Sequence, residues 1–146
     1  MILAVDIGNT NVVLGVIEGE QILFLERMAT DRAATETEYL VRIRSVLKFR
    51  GIDSSHLEGS IICSVVPMVT MSIRPAVEQL TGKTSLVVGP GIRTGLRISI
   101  DNPGALGADR VADAVAAVHH YPLPLITIDM GTATTLGVVD ESRTFI

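Results

Sequence analysis

The chain has no tryptophan, and its two tyrosines and three phenylalanines make aromatic residues only 3% of 146 positions. Hydrophobic residues still reach 47%, so any core must be aliphatic, which suits sheets covered by helices on both faces. One cysteine, Cys63, excludes an intrachain disulfide and any cysteine-rich metal site. Within Ser60-Ile61-Ile62-Cys63 it reads as a small core residue of a buried strand. Positive charge is scarce as well. Twelve Lys and Arg against sixteen Asp and Glu give a net charge of −4 and a pI near 5.3, with no basic cluster. Nucleic acid and anionic membrane surfaces are poor partners for such a chain. Its apolar runs are too short to span a bilayer. Asp6 interrupts the first of them, and no basic region precedes it, unlike a secretory signal. The expected compartment is the cytoplasm, with no nucleic acid and no membrane as partner. The 146 residues suffice for one sizeable core.

What the chain does have is a repeat. Asp6-Ile7-Gly8-Asn9-Thr10-Asn11 follows the apolar run Met1 to Val5 and precedes the run from Val12 to Ile17. A lone turn of this kind reads equally well as a tight hairpin. However, Asp129-Met130-Gly131-Thr132-Ala133-Thr134-Thr135 repeats it after Leu125, Ile126 and Ile128. Each copy leads into the same strand, Leu14-Gly15-Val16-Ile17-Glu18 or Leu136-Gly137-Val138-Val139-Asp140. Two copies far apart in one chain indicate a duplicated domain. The chemistry of the turn fits a phosphate. Gly8 admits close backbone approach, Asn9, Thr10 and Asn11 add donors, and Asp6 suits a Mg²⁺ that travels with a nucleotide, directly or through water. Two such loops facing each other would clamp a phosphate chain.

Along the chain the pattern predicts strands at 2–5, 12–18 and 21–27, with a compact turn at Gly19. A polar connection from Asp31 to Ala34 follows. Thr35 and Glu38 form a capping box for a helix whose apolar stripe is Leu40, Ile43, Val46 and Leu47, ended by Gly51. Arg42, Arg44, Lys48 and Arg50 read as its solvated face. A central strand at 60–66 precedes Pro67, which opens a second helix that Pro75 should kink or shorten, and Gly82 stops it. An edge strand is expected at 84–88, then a glycine-rich loop from Gly89 to Arg97 without dinucleotide-binding spacing, followed by Ile98-Ser99-Ile100 and a turn at Asp101-Asn102-Pro103-Gly104. A third helix opens at Gly107-Ala108-Asp109-Arg110 and runs to about His120, with Val111, Ala114, Val115 and Val118 inward. Asp109 reads as a first-turn acid that complements the helix dipole, whereas Arg110 opposes the dipole and so calls for an anionic partner elsewhere. His119 and His120 suit the helix C-terminus better than a metal. Tyr121 to Pro124 reads as an inter-domain connection.

The duplicated D-x-G-[NT]-T pattern resembles the actin, hexokinase and Hsp70 superfamily. The order β-β-β-α-β-α-β matches one actin-like (ribonuclease H-like) α/β domain. The form Asp6-Ile7-Gly8-Asn9-Thr10-Asn11, with Asp101-Asn102-Pro103, Gly107-Ala108-Asp109-Arg110, Ser64-Val65-Val66-Pro67 and Arg93-Thr94-Gly95-Leu96, is similar to the blocks of type III pantothenate kinases. That resemblance implies a first domain over residues 1–122 and, over 123–146, the first two strands and second phosphate loop of a duplicate. It further implies that this is the N-terminal part of a longer protein.

The resemblance also assigns roles. It implies ATP-dependent phosphorylation of pantothenate to 4'-phosphopantothenate, the first step towards coenzyme A. Asp109 would be the general base on the pantothenate hydroxyl, with Ile100, Gly107, Ala108 and Arg110 lining the substrate site. Asp6, Ile7, Gly8, Asn9, Thr10, Asn11, Val12, Val13 and Thr132 would bind ATP. Asp6 would face Mg²⁺, and Asp129 would help hold a monovalent cation, K⁺ or NH₄⁺. Ile100 stands where the family often has tyrosine, so the pocket wall differs there. Members are homodimers whose pocket the partner completes. The alternatives are another small-molecule kinase of the superfamily and a non-catalytic nucleotide-binding accessory protein.

Overall fold

The structure, a computed structural model, describes residues 1–89, 92–131 and 133–146, apart from the side chain of Ala105. The chain packs as two compact units, Met1–Val87 and Val88–Ile146.

In the first unit, β1 (Ile2–Ile7), β2 (Asn11–Glu18) and β3 (Gln21–Ala29) form the expected antiparallel meander. Gly19 takes a φ of +60° in the turn between β2 and β3. Helix α1 (Glu36–Phe49) crosses to β4 (Gly59–Ser64), which lies parallel to β1. Helix α2 (Pro67–Thr81) crosses to the two-residue edge strand β5 (Leu86–Val87). The sheet order is β3-β2-β1-β4-β5, so β1 and the turn that follows it occupy the centre.

Alternation decides which face is covered. Leu3, Val5 and Ile7 of β1 and Val12, Leu14 and Val16 of β2 are buried, together with Tyr39, Ile43 and Leu47 of α1 and Val69, Ile73, Ala76, Val77 and Leu80 of α2. Asp6, on the opposite face, is exposed. A fully buried aliphatic side chain contributes about 1.5–3 kcal/mol. That sum explains why α2 runs from Pro67 to Thr81 with Pro75 inside it rather than stopping short. The missing hydrogen bond and ring clash cost ~3 kcal/mol, less than the apolar face returns. Gly82 then ends the helix in the left-handed conformation at φ +66°.

Two expectations need correction. Cys63 is half-buried and sits beside Asp6 in the register, on the face away from the helices, so it is no core residue. The basic side of α1 is not simply solvated. Arg42 pairs with Asp31 at 2.9 Å, and Arg50 pairs with Glu26.

In the second unit, β7 (Leu125–Met130) and β8 (Thr134–Val139) form an antiparallel hairpin, and β8 pairs with β9 (Thr144–Phe145). A two-residue strand that the sequence pattern does not announce, β6 (Arg97–Ile98), lies parallel to β9. The order β6-β9-β8-β7 leaves β7 at an edge. Helix α3 (Ala108–His120) packs against this sheet through Ala114, with Val139 and Phe145 completing a small buried cluster. Among the described residues, no helix is long and apolar enough to cross a membrane.

The copies match beyond their motifs. A Cβ on Gly15 would lie 2.9 Å from Leu25 Cδ2, and one on Gly137 would lie 2.8 Å from Phe145 Cε2. In each copy the glycine of the second strand makes room for a large side chain from the third.

Candidate active site

The first loop is a closed turn built at the end of the central strand. Gly8 N–H donates to the Asn11 carbonyl at 2.9 Å, and a Cβ on Gly8 would stand 3.1 Å from that oxygen. Glycine is what lets the chain fold back so tightly. The end of β3 holds the turn from the side: Thr30 N–H donates to the Thr10 carbonyl at 2.9 Å, and Thr30 Oγ1 to the Gly8 carbonyl at 2.7 Å. Asn9 and Thr10 are exposed, as is Asp6. Ile7 and Val12 are fully buried, so these two can offer a ligand only their backbone. Val13 is half-buried and sits opposite Asp6 in the β1–β2 register.

Thr30 and Arg32, which escape a reading of the sequence, belong to this loop. The Arg32 guanidinium donates to Asn9 Oδ1 at 3.0 Å. Nothing in the sequence signals either contact, because both depend on where β3 ends in space. Behind them, Tyr39 clasps Asp31. Its hydroxyl accepts from Asp31 N–H at 3.0 Å and donates to the Asp31 carbonyl at 2.8 Å. The Asp31 carboxylate accepts from Arg42 and from Ala33 N–H, which together hold its pKa below the ordinary carboxylate value.

The second loop joins β7 to β8. Thr132 lies outside the described residues. Asp129 is exposed, and its carboxylate folds back over the turn, with Oδ2 3.6 Å from where a Cβ on Gly131 would be. A groove of about 680 Å³ follows the free edge of β7 between Ile126, Ile128 and Asp129 on one side and Asp113, Ala116 and Ala117 of α3 on the other.

Asp109 and Arg110 share the first turn of α3. Gly107 is the N-cap residue and makes no side-chain cap. Asp109 is half-buried, and its Oδ1 accepts the Arg110 N–H at 2.8 Å. That pose exists because residue 107 lacks a side chain: a Cβ there would come within 2.3 Å of Asp109 Oδ1. Arg110 donates to the Leu136 carbonyl at 2.7 Å, and its guanidinium lies 5.3 Å from the centre of the Phe145 ring. Its expected anionic partner is therefore a carbonyl dipole and a ring face. Its Nε–H is buried and has no hydrogen-bond partner among the described residues, and an orphaned donor of this kind is costly. Ile100 is half-buried and packs at the margin of the same cluster.

The residues fit the groups a phosphotransferase needs. No cluster of three or more His, Cys, Asp or Glu suited to a metal occurs among the described residues. Mg²⁺ arriving with a nucleotide needs only one or two carboxylates, since phosphate and water supply the rest. His119 and His120 are exposed in the last turn of α3, their rings 4.9 Å apart.

Comparison with known proteins decides among the kinases. The type III pantothenate kinase family profile matches residues 2–146. The chain belongs to that family. A type III pantothenate kinase of Halalkalibacterium halodurans is 42% identical over 145 residues, covering 99% of this chain and 57% of the relative. One from Brevibacillus brevis is 44% identical over 141 residues, covering 97% and 55%. The chain thus spans a little over half the length of these family members. A ROK hexokinase structure from Thermus thermophilus aligns with a TM-score of 0.54 at 16% identity, covering 97% of this chain and 47% of its own. That likeness shows the actin-like α/β fold expected from the motif order.

Proposed function

We propose that the protein phosphorylates pantothenate with ATP, yielding 4'-phosphopantothenate for coenzyme A synthesis. The observation that carries this reading is the match to the family along residues 2–146, with Asp109 set in the opening turn of α3 over Gly107. Phosphoryl transfer needs positioning and charge neutralisation more than covalent chemistry. Asp109 accepts the proton of the primary hydroxyl as the hydroxyl oxygen bonds to the γ-phosphorus and the bond from that phosphorus to the β,γ-bridging oxygen breaks, releasing ADP. Ile100, Gly107, Ala108 and Arg110 surround pantothenate, and the orphaned Arg110 Nε–H is a donor ready for a substrate oxygen. Residues 6–13 and Thr132 hold the ATP phosphates. Asp6 faces Mg²⁺, which supplies the neutralising charge when bound, and Asp129 helps hold K⁺ or NH₄⁺. The reading divides the chain by its repeat, with residues 1–122 as the first domain and 123–146 opening the second. A homodimer in the cytoplasm completes the proposal, supported by the family relationship.

Turnover of ATP by the full-length protein tests it, with pantothenate added or omitted and K⁺ exchanged for Na⁺. ADP release should need both pantothenate and K⁺. Asp109→Asn should abolish turnover while ATP binding persists. ADP release that depends on a different alcohol in a substrate panel would overturn the acceptor assignment. Unchanged turnover in the variant would remove Asp109 from the mechanism.

A further inference from the structure

Arg32 stands beside the first loop and has no part in the roles assigned so far. Residues 6–13 contain one carboxylate and no cation, yet a nucleoside triphosphate is strongly anionic, and phosphotransferases usually meet it with Lys or Arg as well as metal. The Arg32 guanidinium already reaches Asn9, a loop residue, at 3.0 Å. The acceptor is a neutral amide oxygen, so this bond leaves the arginine charge uncompensated.

The segment that presents Arg32 is anchored on both sides. Thr30 is bonded to the loop through its N–H and its hydroxyl, and Asp31 is clasped through its backbone by the fully buried Tyr39. Asp31 is the acid best placed in sequence to cancel Arg32. Its carboxylate accepts instead from Arg42 at 2.9 Å and from Ala33 N–H at 3.1 Å. An exposed hydrogen bond to a neutral group adds little to folding, so stability alone does not account for so firm a mounting. A guanidinium also matches phosphate oxygens better than it matches a single amide oxygen, because its fork donates two parallel bonds.

We propose that Arg32 binds the phosphate groups of the nucleotide beyond the first, those that ATP and ADP carry and AMP lacks, with Asn9 holding the guanidinium at the first loop until they arrive. This rests on the reading that the first loop holds a nucleotide. The test uses the full-length protein with Arg32→Gln, which keeps a neutral donor for Asn9, and Arg32→Lys, which keeps the charge. Calorimetric titration with ATP, ADP and AMP in Mg²⁺ is paired with KM values for ATP and pantothenate, and circular dichroism melts confirm folding. Arg32→Gln should weaken ATP and ADP about tenfold or more, as expected for a lost charge-assisted contact. AMP affinity and the KM for pantothenate should hold, and Arg32→Lys should fall between glutamine and wild type. The proposal fails if Arg32→Gln binds ATP like wild type, or loses AMP as severely as ATP, which would mark a loop-shaping role. It also fails if lysine is no better than glutamine. A wild-type protein that binds no nucleotide would sink the phosphotransferase reading itself, and this proposal with it.

Discussion

An alanine at position 107 would place its Cβ 2.3 Å from Asp109 Oδ1. The carboxylate can swing away, since it is the end of a side chain, but it then leaves the position proposed for the base. If the proposed activity holds, Gly107→Ala should therefore lower kcat of the full-length protein ~10- to 100-fold, the usual scale for a misplaced reacting group. The melting temperature should barely move, because the N-cap residue makes no side-chain cap to lose. Steady-state kinetics beside a thermal melt would check this, and a large loss of stability with kcat intact would refute it. The sequence marks Gly107, Asp109 and Arg110 as a block but gives no reason for the glycine. That reason is a local steric one, visible only once the Asp109 side chain has a direction. Arg110 shows the same limit. Its place at a helix start signals a need for negative potential, and the structure meets that need with the Leu136 carbonyl, remote in sequence.

The start of α1 shows which element-level features a sequence can and cannot convey. The Thr35–Glu38 capping box forms as read, with Thr35 N–H donating to Glu38 Oε2 at 2.8 Å, because every partner lies within one turn. Tyr39 is missed, although it is fully buried and anchors the segment before the helix. Its partner Asp31 lies eight residues back, across a connection with no periodicity to follow. The clasp should leave a mark in acid. Arg42 and the Ala33 N–H stabilise the charged form of Asp31, so its folded pKa lies below the unfolded value of about 3.8. The unfolded chain then binds the proton first as pH falls. The stabilisation is complete above the unfolded pKa and is lost as pH drops through the folded one. Asp31→Asn should flatten the acid limb of a plot of melting temperature against pH below about pH 4. An acid limb as steep as wild type would show that the pair contributes nothing to folding.

At the scale of the molecule, the duplication was legible because motif and following strand repeat together, and both hairpins form where the repeat predicts. The packing of the second copy was not legible. Aligning Asp6 with Asp129 and Leu14 with Leu136 sets Leu3, Val5 and Ile7 against Ile126, Ile128 and Met130. The first set is buried beneath α1 and α2, whereas Ile126, Ile128, Met130 and Leu136 are 66%, 63%, 83% and 59% exposed. Periodicity identifies an inward face but not what lies over it. An uncovered patch of this kind promotes association. The triple change Ile128→Thr, Met130→Gln and Leu136→Thr should make the 146-residue chain more soluble and reduce its binding of a hydrophobic dye. The same dye signal in the variant would mean that the patch is not what the dye finds.

The bond from Arg110 to the Leu136 carbonyl has a mechanical consequence. Leu136 lies two residues into β8, the strand that leaves the second loop, and Arg110 is the covalent neighbour of Asp109. One guanidinium thus ties the first turn of α3 to β8, so that any slide of β8 along its axis must either stretch this bond or reorient the arginine next to Asp109.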